Sequence, residues 1–199
     1  MASRGVWGSD PSETTGPPTR YDRGMTTEIE PQSAPATIDR TDPGRGRIEA
    51  IHLADQSGAP MRSVERVRAI AGVGLEGDRY SVGTGTWSPD PKVDRHLTLV
   101  AAEEIEMLAE RDGIVLAAGE TRRNITTRGI ALNDLVGRQF RIGSVVAEGT
   151  RLCQPCQYLT DLVGKPILKP LVDRAGLRAR ILTDGEIAVG DSIEAVEPG

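Results

Sequence analysis

Lysine and aromatic side chains are scarce in this sequence. Only three of its 24 basic residues are lysines, and it holds one Phe, two Trp and three Tyr. So few aromatic rings leave little surface on which unpaired bases could stack, and a net charge of −5 argues against a general binder of nucleic acid or of anionic membranes. No apolar run approaches the ~18 residues that a membrane-spanning helix needs. We therefore expect neither a nucleic-acid partner nor a membrane partner.

Cysteine is scarce as well, with Cys153 and Cys156 the only two. No secretory apolar segment opens the sequence, so we expect a reduced, cytoplasmic protein. A disulfide between cysteines this close would close a loop too small to add much stability. The pair is therefore better suited to chemistry than to cross-linking the fold.

The first 46 residues are rich in Pro, Gly, Ser and Thr. Such a segment cannot bury enough apolar surface to offset its chain entropy. We predict that residues 1–46 form a disordered tail, in which Met25 offers a second start of translation, and that residues 47–197 form one domain.

Short strands with a few helices are predicted from residue 47 onward. The expected helices lie at 101–111, 158–163 and 169–175, with a short helical connection at 131–136. The pattern of 61–70 leaves strand and helix undecided. Two apolar runs flank Thr183-Asp-Gly185, which predicts a hairpin over 177–189. Because the sequence has no βαβ rhythm and no internal repeat, we predict a mixed, β-rich fold, an irregular β-barrel with a few short helices.

Two motifs outside the cysteines could carry chemistry. Gly72-Val-Gly-Leu-Glu-Gly77 has the spacing of a dinucleotide fingerprint, but Asp78-Arg-Tyr is a poor opening for the helix that the fingerprint requires. The glutamates Glu103, Glu104 and Glu106 could hold a metal or act as acid and base, although carboxylates in the first turns of a helix are usually favoured by its dipole alone.

The cysteines permit four interpretations. They could join His52 and His96 in a zinc site, form a redox pair, or be inert core residues. In the fourth interpretation, Cys156 is a thiolate that binds a metal or carries sulfur. It is predicted to lie where a strand leads into a helix, and a helix N-terminus favours the thiolate.

Five stretches of this sequence, in this order, resemble the MOSC family, the C-terminal domain of molybdenum cofactor sulfurases. The chain resembles the small, stand-alone members, because the resemblance covers residues 47–196 with no further domain. The stretches are 74–80, 119–124, 135–143, 153–156 and 190–191.

This resemblance implies a barrel-like fold that binds the molybdenum cofactor, a pyranopterin. It assigns the metal ligand and sulfur chemistry to Cys156, with Cys153 as the second candidate, since a thiolate is a soft donor that suits molybdenum. The cofactor phosphate suits arginines and glycine-rich backbone, and the pterin edge suits polar side chains. The residues implied to bind the cofactor are Gly74, Gly77, Asp78, Arg79, Arg123, Asn124, Arg178 and Arg180.

Two functions follow from the resemblance. The first is an oxidoreductase that acts on N-hydroxylated compounds, with His96 as a candidate proton donor. A partner reductase would supply the electrons, because the chain has no ferredoxin cysteine set. The second is a non-catalytic carrier of cofactor or sulfur that works with a desulfurase, since none of Lys92, Lys165 and Lys169 has a recognisable pyridoxal phosphate setting.

Overall fold

The computed structural model describes residues 44–88 and 93–196. The predicted tail lies almost wholly outside these ranges, and the first strand begins at Arg45. The strands are β1 (Arg45–Leu53), β2 (Arg62–Val64), β3 (Arg66–Ile70), β4 (Gly74–Leu75), β5 (Leu97–Ala101), β6 (Ile125–Arg128), β7 (Gln139–Ile142), β8 (Val145–Leu152), β9 (Leu177–Ile181), β10 (Gly185–Ala188) and β11 (Ser192–Ala195). The helices are α1 (Ala102–Asp112) and α2 (Gln157–Val163), with 3-10 turns at Val93–Arg95 and Leu132–Leu135.

Seven strands close into a barrel in the order β1-β11-β7-β8-β9-β5-β6, with β6 paired back to β1. All neighbours are antiparallel except β5 and β6, which α1 connects as a parallel pair. Strand β2 extends the sheet beyond β1, and β10, β3 and β4 form a separate small sheet. The predicted β-barrel with a few short helices is confirmed.

Alternation along the strands fills the barrel with apolar side chains. In β9, Leu177, Ala179 and Ile181 are buried while the arginines between them are only partly so. Strands β7 and β8 form a hairpin in which Ile142 pairs with Val145. The turn between them contains Gly143 at a φ of 56°, as a two-residue hairpin turn of the favoured hand requires.

A second apolar cluster packs α1 and α2 together outside the barrel. It contains Leu108 of α1, Leu159 of α2 and Ile167. Both helices end at a left-handed glycine, Gly113 and Gly164. The cluster therefore positions α2, and with it the residue before that helix, Cys156.

The helix predicted at 169–175 is wrong, because the structure has consecutive turns there. Pro170 has no N–H to donate, and Asp173 has a φ of 59°, which a right-handed helix does not allow.

The hairpin predicted at 177–189 is also wrong. Strand β9 pairs with β5 and β8, whereas β10 pairs with β3 in the small sheet. The intervening residues bond elsewhere: Thr183 accepts a hydrogen bond from Val146 N at 2.8 Å, and Asp184 accepts one from Ala71 N at 2.7 Å. In the undecided stretch 61–70 the structure forms β2 and β3. Of the described helices, none is long and apolar enough to cross a membrane.

Candidate functional site

The two cysteines flank the short segment between β8 and α2, and their surroundings differ. Cys153 is 2% exposed, and its N–H donates to Gly176 O at 2.7 Å. Cys156 is exposed and is the N-cap residue of α2, and its carbonyl accepts a hydrogen bond from Thr160 N at 3.1 Å. Neither is in a disulfide. Cys156 is therefore the thiol that a ligand can reach.

Arg123 fixes the Cys153 end of this segment. Its guanidinium donates to Ala175 O at 2.8 Å, to Thr121 O at 3.1 Å and to Cys153 O at 3.3 Å. Since each of its three side-chain nitrogens donates to a backbone carbonyl and the residue is buried, Arg123 holds three pieces of chain together in this structure.

Asn124 and Asp78, both predicted to bind the cofactor, are in direct contact. Asn124 donates from Nδ2 to Asp78 Oδ2 at 3.1 Å and to His52 O at 3.2 Å, and it accepts from the Thr98 hydroxyl at 2.8 Å. Asp78 also accepts from Arg79 Nη1 at 3.2 Å. The structure therefore brings together three of the predicted residues, in a network whose members are buried.

Arg79 leads from this network to Arg122. It donates from Nη2 to Arg122 O at 3.2 Å, and Arg122 in turn donates to Ala59 O. Burial, and then the charge of Arg79, hold the pKa of Arg122 below its usual value. The guanidinium of Arg79 pairs with Asp78, whereas that of Arg122 donates to a carbonyl, so these three side chains together carry a net positive charge.

Tyr158 connects the positive group to α2. Its hydroxyl lies 3.2 Å from the Ser57 hydroxyl. Hydrogen bonds with Ser57 and Thr86, together with the nearby charges of Arg122 and Arg79, lower the pKa of Tyr158. Since Tyr158 lies in the first turn of α2, the cationic pair is close to the turn that follows Cys156.

A cavity of about 360 Å³ opens beside Arg122. Its walls come from α2, from the loop before β2 and from the loop before β6. They combine apolar side chains with the guanidinium of Arg122 and the carboxylate of Glu120, which pairs with Lys165 at 2.5 Å, and they include Pro60, Met61, Gly119, Leu162 and Val163. The volume suits a small ligand.

Arg178 and Arg180 lie in a neighbouring polar group on the outer face of β9. Arg180 pairs with Glu148 at 2.7 Å, and Arg178 lies 4.0 Å from Asp94. Arg178 also stands opposite Thr98, the partner of Asn124, in the register of β9 and β5. Both polar groups are thus on the outside of one stretch of barrel wall.

Gly74 and Gly77 lie close to other chain segments. A Cβ on Gly74 would be 3.4 Å from His96 O, and one on Gly77 would be 3.5 Å from the guanidinium of Arg62. After β4 the chain continues in turns, so the helix that a dinucleotide fingerprint needs is not formed at this glycine-rich stretch.

The histidines and glutamates do not assemble a metal site. Within 44–88 and 93–196, no group of three or more His, Cys, Asp or Glu side chains is placed to hold a metal ion. His96 accepts a hydrogen bond from Ile181 N at 3.4 Å, and burial lowers its pKa. Burial also lowers the pKa of His52, whose Nδ1 has no hydrogen-bond partner in the described part of the chain.

Arg122 and Tyr158 were not predicted as site residues from the sequence. Arg122 was visible as half of an arginine pair, but its φ of 60° and its turn toward Arg79 depend on the folded loop. Tyr158 could have been found, because a tyrosine in the first turn after Cys156 lies on the same helix end as the thiol.

Comparisons with known proteins give a single answer about the family. The MOSC domain model matches residues 51–194. The solved YuaD protein of Bacillus subtilis superposes with a TM-score of 0.65 at 16% identity, covering 78% of this chain and 97% of that one. YiiM of Geobacillus stearothermophilus superposes with a TM-score of 0.60 at 20% identity, covering 77% of this chain and 76% of that one.

A second YiiM, from Escherichia coli, has a TM-score of 0.54 at 18% identity, covering 77% of this chain and 71% of that one. At these identities the likeness concerns the fold. No curated protein matches the sequence.

Proposed function

Because the chain belongs to the MOSC domain family, we propose that it binds the molybdenum cofactor and that the thiolate of Cys156 is the protein ligand of the metal. The observation that carries this proposal is the exposed thiol of Cys156 at the N-terminus of α2, whose first turn contains Tyr158, a residue whose pKa the charges of Arg122 and Arg79 help to lower. A thiolate is a soft donor that suits molybdenum. Cys153 is buried and held at both its N–H and its carbonyl, so it is the weaker candidate.

The chain's residues fit the remainder of the cofactor. Arg122 is only partly buried and lines the cavity, so its guanidinium suits a phosphate, whereas the buried Arg79 is bonded to Asp78 and to Arg122 O and would add its charge from behind. Asn124 and Asp78 are buried and bonded within their own network, so their direct contact with a pterin edge stays a prediction. Gly74, Gly77, Arg178 and Arg180 stay predictions, and Arg123 acts through the segment that it anchors.

The reaction we propose is the reduction of small N-hydroxylated compounds. When bound, the cofactor would supply a metal centre that exchanges an oxygen atom and an electron pair with a substrate. The chain would contribute the cavity beside Arg122, in which Met61, Leu162 and Val163 would pack against the apolar part of a substrate. A partner reductase would provide the electrons, and the reducing cytoplasm would keep Cys156 free.

The test compares two serine variants made in a host that produces the molybdenum cofactor. Cys156→Ser is expected to lose molybdenum and pterin, because an alcohol is a poor ligand for this metal, whereas Cys153→Ser should retain both. Metal analysis and pterin release measure the content, and thermal unfolding confirms that each variant is folded. Equal molybdenum in the wild type and Cys156→Ser would refute the assignment.

The exposed thiol also suits a second function, that of a cofactor or sulfur carrier with a desulfurase as partner. Turnover separates the two. Consumption of a hydroxylamine-type substrate by loaded protein with a reductase supports the enzyme. Stable loading without turnover, followed by transfer of the cofactor to an apo-enzyme, supports the carrier.

A further inference from the structure

The first turn of α2 lies between the thiol of Cys156 and the cavity beside Arg122. Cys156 is the N-cap residue of this helix, whereas Leu162 and Val163, at its other end, line the cavity. At a rise of about 1.5 Å per residue, Cys156 and Leu162 are about 9 Å apart along the helix axis. Tyr158 occupies the turn between them.

The side chain of Tyr158 is on the cavity side of α2. Residues four apart lie on one face of a helix, as Tyr158 and Leu162 do. The Tyr158 hydroxyl lies 3.2 Å from the Ser57 hydroxyl, and a Cβ on Gly58, which lines the cavity, would lie 3.9 Å from it. The ring therefore extends from α2 toward the loop before β2, at the end of the cavity nearer Cys156.

Two loops hold the hydroxyl end of this ring. The Ser57 hydroxyl lies 2.5 Å from the Thr86 hydroxyl, and Ser57 N donates to Thr84 O at 3.0 Å. The loop before β2 is thus bonded to the loop after β4. Because its backbone is helical and its hydroxyl is bonded to this pair of loops, Tyr158 is restrained at both ends and can act as a wall.

The proposed reaction requires a substrate to extend past this ring. Its apolar part would pack against Met61, Leu162 and Val163 in the cavity, while its N-hydroxyl group would reach the metal at Cys156. The link between these two groups would then cross beside Tyr158. A branch on the link would press against the ring, and such overpacking is costly.

We propose that Tyr158 determines the substrate specificity of this site. Its ring narrows the path between the cavity beside Arg122 and Cys156, so N-hydroxylated compounds with an unbranched link to their apolar part are accepted and those with a branched link are rejected. The inference rests on the proposed function for the reaction, but its geometry belongs to the chain alone and is tested without molybdenum.

The test uses the full chain without cofactor and three probes that alkylate thiols: iodoacetamide, N-benzyl iodoacetamide and N-cumyl iodoacetamide. The last two carry the same phenyl group, but the cumyl link bears two extra methyl groups. In each reaction the thiolate sulfur displaces iodide, and each rate is divided by the rate of the same probe with glutathione. Peptide mass spectrometry over a time course gives the rate at Cys156.

The benzyl probe is expected to react with saturation, because its phenyl group binds in the cavity while its reactive carbon reaches the thiol. Half-saturation should occur on the order of 1 mM, as its small size allows. Below saturation it should alkylate Cys156 at least about tenfold faster than iodoacetamide. The cumyl probe should be at least about tenfold slower than the benzyl probe.

Three variants assign this discrimination to the ring. Tyr158→Ala removes the ring and should bring the two aromatic probes within about threefold of each other. Tyr158→Phe keeps the ring and should keep the discrimination. Gln157→Ala is the matched control, since it truncates an exposed side chain in the same helical turn, and it should change nothing.

The proposal is overturned if the benzyl probe shows no saturation, if the wild type does not distinguish the two aromatic probes, or if Tyr158→Ala still does. Loss of discrimination in Tyr158→Phe or in Gln157→Ala would overturn it as well. The comparison of probes on the wild type remains decisive even if a variant fails to fold. No metal takes part, so a failure here is distinct from equal molybdenum in the wild type and Cys156→Ser, which would refute the proposed function.

Discussion

The two ends of the cysteine segment are built differently. The anchored end consists of Cys153 with Arg123 and Gly176, and its polar backbone atoms are tied to the barrel wall. The open end consists of Cys156 and α2, which ends at Gly164, and its thiol faces outward. Residue type is the same at both cysteines, so burial and backbone contacts alone decide which thiol is available for chemistry.

The largest expected effect comes from adding a methyl group at the anchored end. Gly176 has a φ of 109°, and a Cβ there would lie 1.9 Å from Leu99 O. The backbone at Gly176 and the backbone at Leu99 cannot move apart without disturbing β5. Gly176→Ala should therefore lower the free energy of unfolding by about 3 kcal/mol or more. Urea denaturation measures this change.

Gly164→Ala is the matched control at the open end. Its φ is 68°, and a Cβ would meet no atom within 4 Å, so the cost should be about 1 kcal/mol, from the backbone conformation alone. Equal costs for the two substitutions would show that the anchored end is no more constrained than the open one.

Removing the arginine of the anchored end should have the next largest effect. Arg123→Ala leaves three carbonyls without their donor and should cost about 3 kcal/mol or somewhat less. Arg66→Ala breaks the exposed ion pair with Glu186 and should cost below about 1 kcal/mol. A different result is possible, in which Arg123→Ala lowers the free energy of unfolding no more than Arg66→Ala but loses molybdenum. Arg123 would then be a cofactor ligand, as the sequence predicted, and not an anchor.

The smallest effect concerns the rates at which the thiols react. In the native protein iodoacetamide should modify Cys156 at least about tenfold faster than Cys153, whose thiol becomes accessible only when the segment opens. Peptide mass spectrometry over a time course gives both rates. The difference should vanish in urea, and equal rates without urea would contradict the comparison.

Much of the barrel wall was predictable because strand alternation and turns are local signals. β7, the Gly143 turn and β8 follow from such signals, and so do α1 and its end at Gly113. The pairing of strands was not predictable. Thr183-Asp-Gly185 has the composition of a hairpin turn, but Val146 and Ala71 bind its side chains and direct β10 into another sheet.

The candidate site was predictable to a similar degree. The resemblance of five short motifs to the MOSC family implied Cys156, Asp78 and Asn124, and the structure adds that the last two are in contact. What Arg122 and Arg123 do could not be predicted, because adjacent arginines look alike in sequence. In the folded loop Arg122 lines a cavity, whereas Arg123 donates its hydrogen bonds to backbone carbonyls.

The pairing of β1 with β11 has a consequence for biosynthesis. Arg45 stands opposite Glu194, and β11 also pairs with β7. During synthesis on the ribosome, β1 and β7 therefore each keep an exposed edge until β11 has left the exit tunnel, and exposed strand edges invite aggregation. Such long-range pairing is also slow to form. A nascent chain in which β11 has not yet formed therefore exposes both strand edges to other chains.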